Sequence, residues 1–477
     1  MCRVVEGALS AVGTQSSNRQ EHTNIMFSYR NLLSRSPLFL LLVAAVLLGG
    51  VCSVADNSGA EQIHLSFTDD VTTIQVTYST FQPVKASARY GRDQPDTLVE
   101  GVSTPFAQDD NGTHLQYINR VSLTGLSPGE RHVYQVLGPA GWSEVFWFRP
   151  MQQGSDWSPR LAVYGDLGMV NGVALPFIVN DTYDEMYDAV LHVGDFGYDM
   201  YDQEGEVGDT FMRQIQPVAA HLPYMTCPGN HEQYANFSNY KNRFSMPGGT
   251  ESMYYSFDMG PVHFISISTE FYYFTGYGTD QAFSQYNWLV SDLEAATEPS
   301  ARAARPWIVL YGHRPMYCTN RDEDDCTKVH DRVRVGAPDL EPPIPGLEDL
   351  LMQYGVDLAV WGHEHSYERM WPLYNYRIYN GTDDNPYRNP GAPVHIVTGS
   401  AGCQENLSPF SIKMPWTAFR SLEYGYSRFT FHNATHMSIE QVETTQEGAT
   451  AVIDEVTVVR ESHEPYELLQ KTERGYL

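Results

Sequence analysis

The sequence predicts a mixed α/β (α+β) chain, with a small all-β region followed by a larger core of strands and helices. Two observations predict it. Between residues 60 and 150, short alternating stretches are separated by turn residues. From about Pro159 onward the strands become near-continuous apolar runs, with helical patterns between some of them. A length of 477 residues leaves room for both parts, and 42% apolar residues is ordinary for a globular protein.

The first sixty residues stand apart from this fold. Residues 38–51 form an apolar run preceded by Arg30 and Arg35 and followed by small residues such as Ser53 and Ala55. That is the anatomy of a secretory signal peptide, too short for an ordinary membrane span, and residues 1–55 are assigned as a leader. Met26 as the initiator would give a signal of conventional length; an uncleaved signal-anchor is the alternative. Six Asn-x-Ser/Thr sequons, at Asn111, Asn180, Asn236, Asn380, Asn406 and Asn433, agree with a secreted, extracellular or lysosomal glycoprotein. Once the leader is cleaved, no stable membrane span is expected. Cys318 and Cys326 flank a polar loop, either as a disulfide or as two free thiols; Cys227 and Cys403 remain unassigned.

In residues 60–150, stretches such as Ile63-His64-Leu65-Ser66-Phe67 and Val133-Tyr134-Gln135-Val136-Leu137 read as strands of a fibronectin type III-like β-sandwich. No metal-capable residues cluster there, so its expected role is scaffolding. Residues 158–442 are read as the catalytic domain. Its strands include Leu161-Ala162-Val163-Tyr164, Ala189-Val190-Leu191-His192-Val193, Trp307-Ile308-Val309-Leu310-Tyr311, residues 356–361 and residues 395–398, with helical patterns at 281–296 and 347–354. Near-continuous apolar strands alternating with helices imply a largely parallel core with covered faces. Residues 443–477 are read as a segment packing on that core, ending in a polar tail.

Charge excludes one class of function. Asp and Glu outnumber Lys and Arg 58 to 30, giving a net charge of −28, so no nucleic-acid partner is expected.

Five motifs follow apolar strands in order: Gly165-Asp166-Leu167-Gly168, Gly194-Asp195-Phe196-Gly197-Tyr198, Gly229-Asn230-His231-Glu232, Gly312-His313-Arg314-Pro315 and Gly362-His363-Glu364-His365. In a parallel core, residues just beyond strand carboxyl ends line the functional edge. A buried carboxylate there needs a partner or a metal. Two carboxylates, a phenol, an amide oxygen and several imidazoles are enough to hold two ions. His363 and His365, at i, i+2 spacing, fall on one side of an extended segment.

These motifs resemble the calcineurin-like metallophosphoesterases and, through Tyr198, the purple acid phosphatases, with stretches such as residues 312–318 and 365–369 closest to the long animal-type forms. The resemblance implies a metallophosphoesterase β-sandwich core flanked by helices. It assigns Asp166, Tyr198 and His365 to an Fe(III) site, Asn230, His313 and His363 to a divalent site (Zn, Fe or Mn), and Asp195 as the bridge. The implied activity is acid hydrolysis of small phosphate monoesters by hydroxide generated at this pair. His231 is implied as an outer residue acting on phosphate or on the leaving group, and Glu364 as an orienting residue behind the ligands. Plant-type long forms carry a histidine pair about nine residues beyond the position of His313. Here Asp322 and Glu323 stand there, leaving either a carboxyl group or His231 alone as the leaving-group acid. Rival readings are a phosphodiesterase or nucleotide hydrolase, iron-dependent peroxide chemistry, and a non-catalytic glycosylated binding protein. Oligomeric state is not read from the sequence.

Overall fold

The computed structural model describes residues 59–107, 114–321, 326, 331–445, 448 and 450–466. The leader, Asn111, Asp322 and Glu323 lie outside the described residues. Among the described residues no helix is long and apolar enough to cross a membrane.

Residues 60–150 form two antiparallel sheets. One has the order Glu61–Phe67, Ile74–Thr80, Leu115–Leu123 and Val102–Ala107. The other is built on Ser87–Gly91 and His132–Gly138. Strand His132–Gly138 shows the alternation that a sandwich requires, with His132, Tyr134, Val136 and Gly138 buried between half-buried neighbours. A buried polar cluster ties this unit to the rest of the chain. The Arg243 guanidinium donates to Asp209 (2.8 Å) and to Gln62 (2.9 Å), and His114 lies 2.7 Å from the other Asp209 oxygen.

The core holds two mixed sheets. In the six-stranded sheet, Tyr224–Cys227, Ala189–Val193 and Arg160–Tyr164 run parallel, and Gly425–Phe431, His436–Thr444 and Thr450–Val459 add antiparallel strands. The chain beyond residue 442 is therefore woven into this sheet. In the seven-stranded sheet, Val262–Ser266, Trp307–Tyr311, Leu358–Trp361 and Val394–Thr398 are parallel, with antiparallel strands at both sides.

The core is thus parallel only at its centre, which corrects the expectation of a largely parallel one. The reason is local. Tyr255–Met259 and Val262–Ser266 are joined by two residues, and a connection that short permits only an antiparallel return. Apart from the exposed Arg160 at the start of the first, the central strands are buried along their length, as their unbroken apolar runs require. Helices Asp280–Thr297 and Glu348–Gln353 lie where the periodicity places them.

The two sheets meet where their parallel strands end. Gly165 N–H donates to the Thr398 carbonyl at 2.9 Å, and His313 Nδ1 donates to the Val193 carbonyl at 2.9 Å. All five motifs converge there.

Candidate metal centre

Asp166 follows Arg160–Tyr164, Asp195 and Tyr198 follow Ala189–Val193, and Asn230 follows Tyr224–Cys227. His313, His363 and His365 come from the other sheet, after Trp307–Tyr311 and Leu358–Trp361. The chain turns sharply at these points. Asp166, Asp195, Tyr198 and His363 take φ of 59°, 53°, 51° and 70°, a left-handed conformation costly for residues with a side chain. The glycines before them make room: a Cβ on Gly194 would sit 2.4 Å from His313 Nδ1, and one on Gly229 would sit 2.2 Å from Asp195 Oδ1.

The seven residues fall into two groups. Tyr198 Oη lies 2.9 Å from His365 Nε2 and 3.3 Å from Asp166 Oδ1, and His365 Nε2 lies 3.5 Å from that carboxylate oxygen. His313 Nε2 lies 3.1 Å from both Asn230 Oδ1 and Asp195 Oδ2. Donor atoms of Asp195, His313 and His363 lie within 4.8 Å of one another. Asp166 and Asp195 are at most 1% exposed.

The imidazole tautomers fit a metal. His313 Nδ1 and His365 Nδ1 (2.8 Å) each donate to a carbonyl, of Val193 and Asn406, so both Nε2 atoms face the cluster, where a bound ion would replace their protons. In the protein alone the imidazoles balance the carboxylates. Burial lowers His313, but the Asp195 carboxylate outweighs it and lifts His313 to about 9. Burial likewise opposes His365, and Asp166 lifts it to about 12. Burial would raise Asp195, yet His313 and His231 hold it well below the carboxylate range. Burial, and then the Asp166 and Asp195 charges, push the Tyr198 phenol well up. A cation among these atoms would take the place of the protons that now neutralise them.

Around these donor residues stand His231 and Glu364, and also Glu232 and Arg314, to which no role is read from the sequence. Glu232, 2% exposed, accepts three backbone N–H groups: those of Asp195 (3.0 Å) and Gly229 (2.8 Å) on Oε2, and that of Phe196 (3.1 Å) on Oε1. It ties two ligand turns together. Arg314 is held by Glu270 at 2.9 Å and donates to His363 Nε2 at 3.1 Å. His231 Nδ1 lies 2.9 Å from Asp199, while its Nε2 is 4.0 Å from Asp195 and 3.7 Å from Glu405. Burial lowers His231, and Asp195 and Asp199 raise it to about 10. The Glu364 carboxylate, 1% exposed, lies against the Cys318–Cys326 disulfide, 3.0 Å from the Cys326 sulfur. That bridge settles one open cysteine pair; Cys227 and Cys403 are free and buried.

A cavity of about 580 Å³ opens over the cluster, lined by Asp195, Asn230, His231, His363 and His365 together with Arg321 and the segment 405–409. Asn180, Asn380, Asn406 and Asn433 are exposed and Asn236 is half-buried.

Three family models match in order along the chain: the purple acid phosphatase N-terminal domain over residues 60–150, the calcineurin-like phosphoesterase over 159–367, and the iron/zinc purple acid phosphatase-like protein C over 392–455. Acid phosphatase type 7 of Homo sapiens is 50% identical over 410 residues, covering 85% of this chain and 92% of its own length. The protein of the same description from Danio rerio is 48% identical over 424 residues, covering 87% and 95%. Among solved structures, a purple acid phosphatase from yellow lupin (Lupinus luteus) seeds superposes with a TM-score of 0.67 at 22% identity, over 84% of this chain and 75% of that one, a likeness of fold.

Proposed function

Since the chain belongs to the purple acid phosphatase family, whose membership implies a dinuclear metal centre and makes it a metal-dependent acid phosphatase, we propose that it hydrolyses small phosphate monoesters at a pair of Fe(III) and one divalent ion, Zn, Fe or Mn. The observation that carries this reading is the clustering of donor residues in two groups, Tyr198 and His365 beside Asp166, and Asn230, His313 and His363 about Asp195, with Asp195 taken as the bridge between them. Asp166, Tyr198 and His365 would hold the trivalent ion, a hard phenolate favouring iron. Asn230, His313 and His363 would hold the divalent ion. When bound, the ions neutralise phosphate charge and acidify a water molecule.

The chain's own residues do the rest. The carbonyls of Val193 and Asn406 fix the two imidazoles in the tautomer that binds, and Glu232 locks the Asp195 turn to the Asn230 turn. Asp199 holds His231 Nδ1, which leaves Nε2 directed at the cavity to bind a phosphate oxygen or protonate the leaving alkoxide. Glu405, exposed at the rim and 3.7 Å from that nitrogen, is a carboxyl candidate for the same proton, in addition to the two named from the sequence, Asp322 and Glu323. We also propose passage through the secretory route to the cell exterior or the lysosome, supported by the apolar run at 38–51, the exposed sequons and the buried disulfide.

Replacing Asp195 with Ala tests the reading. Phosphomonoesterase activity should vanish and metal content should fall, because both groups lose a donor. Near-normal turnover would remove Asp195 from the centre, and a wild-type protein with greater diester than monoester activity would favour the phosphodiesterase reading.

A further inference from the structure

The cavity over the donor residues is larger than one phosphate needs. At about 580 Å³ it falls in the range that holds a whole small ligand, so the alcohol part of a substrate fits beside the phosphate. Asp195, Asn230, His363 and His365 make up the metal side of its lining, and His231 stands next to them. Arg321 and the segment 405–409 remain, and Arg321 is the one arginine or lysine among the lining residues.

The backbone at Arg321 is fixed relative to the metal site. Its N–H donates to the Pro409 carbonyl at 2.8 Å. Asn320, 1% exposed, donates through its amide to the Ser408 carbonyl (2.8 Å) and the Ser366 hydroxyl (3.0 Å). Ser408 is bonded twice to His365: its N–H donates to the His365 carbonyl (3.0 Å), and its hydroxyl accepts the His365 N–H (3.1 Å). The guanidinium is not engaged in the same way. Arg321 is exposed, and among the described residues its guanidinium has no hydrogen-bond or ion-pair partner. Buried arginines such as Arg243 and Arg369, by contrast, each sit on a carboxylate, at 2.8 and 2.7 Å. Glu405, which lines the same cavity, lies 3.7 Å from His231.

We infer that Arg321 determines specificity by receiving a second anionic group, a carboxylate or a further phosphate, on the alcohol part of the substrate. The inference rests on the monoesterase reading and narrows it to esters of acidic alcohols. A guanidinium presents a planar fork of donors that matches either oxyanion. In a chain of net charge −28, a substrate carrying additional negative charge depends on such a local cation. The contact lies away from the bond that breaks, so it holds ground state and transition state alike and acts on KM more than on kcat.

Steady-state kinetics of the metal-loaded full-length protein test this on a matched series: propyl phosphate, carboxypropyl phosphate and phosphonopropyl phosphate. The wild type should prefer at least one of the two acidic esters, and added salt should narrow the preference. Arg321→Gln should lower kcat/KM for the preferred acidic ester about three- to fivefold, mostly through KM, the worth of one solvent-facing charge pair. Arg321→Lys should keep most of the preference, and Arg321→Glu should reverse it. A preference for either anion supports the inference and shows which one the guanidinium takes. Equal losses on propyl phosphate and the acidic esters, or no loss on any, as for a guanidinium spent on the neighbouring Asp322 and Glu323, overturn the inference and leave the monoesterase reading standing. A metal-loaded wild type that hydrolyses none of the three overturns both.

Discussion

Glu232→Gln separates the account's view of the ligand turns from a view in which each turn holds itself. Three backbone N–H groups converge on this buried carboxylate and nothing else donates to it among the hydrogen bonds of the described residues, so the position suits a group that only accepts. A carboxamide has one oxygen. Placed at Oε2, it keeps the Asp195 and Gly229 bonds and turns an NH₂ toward Phe196 N–H. A buried donor facing a donor costs about 1–3 kcal/mol. That cost acts on the two turns that carry Asp195 and Asn230. Thermal unfolding and metal content, measured together with and without a chelator, are the assay. The variant should melt about 1–3 °C lower and hold less metal than the wild type, with a smaller difference in melting once both are stripped. A variant with full metal content and a melting point within about 0.5 °C of wild type would refute the argument, since that corresponds to about 0.5 kcal/mol in a chain of this size.

His231→Ala should retain metal while losing about a hundredfold or more in turnover, because the ring lies beside the donor groups and faces the cavity; loss of metal would place His231 inside the coordination shell instead. Away from the centre, His263 lies between Asp258 (2.7 Å) and Asp292 (2.9 Å); burial lowers it, but the two carboxylates lift it to about 9. A raised folded value means that this stabilisation is complete below the unfolded value of about 6.5 and is lost as pH rises through about 9. His263→Gln should therefore destabilise by about 1–3 kcal/mol near pH 6, discounted for the half-exposed Asp258, and by much less above about pH 9.5. A difference in melting that grows with pH would contradict this.

The donor residues that cluster at the strand ends were legible because each sits in its own short motif. A glycine, a sharp turn and a donor at the end of an apolar strand are local features, and the close approaches at Gly194 and Gly229 explain why the motifs begin with glycine. The residues behind them were not legible, because their roles depend on partners far away in sequence. Glu232 reaches Asp195 and Phe196 across 37 and 36 residues, and Arg314 reaches His363 across 49. The same holds for the fold. Buried central strands announce themselves by unbroken apolar runs, whereas Tyr255–Met259, with a half-buried serine and an exposed aspartate, does not. Reading the alternation of strands and helices as a largely parallel core overlooked the short hairpins that add antiparallel strands at the sides.

Metal analysis with a visible spectrum on the purified protein tests the two-group centre most directly. The account predicts two ions per chain, one of them iron, and a violet absorption from Tyr198 that bleaches on reduction and is absent from Tyr198→Phe. A colourless protein replete with iron would contradict the Tyr198 assignment, and a protein holding zinc alone would contradict the Fe(III) site.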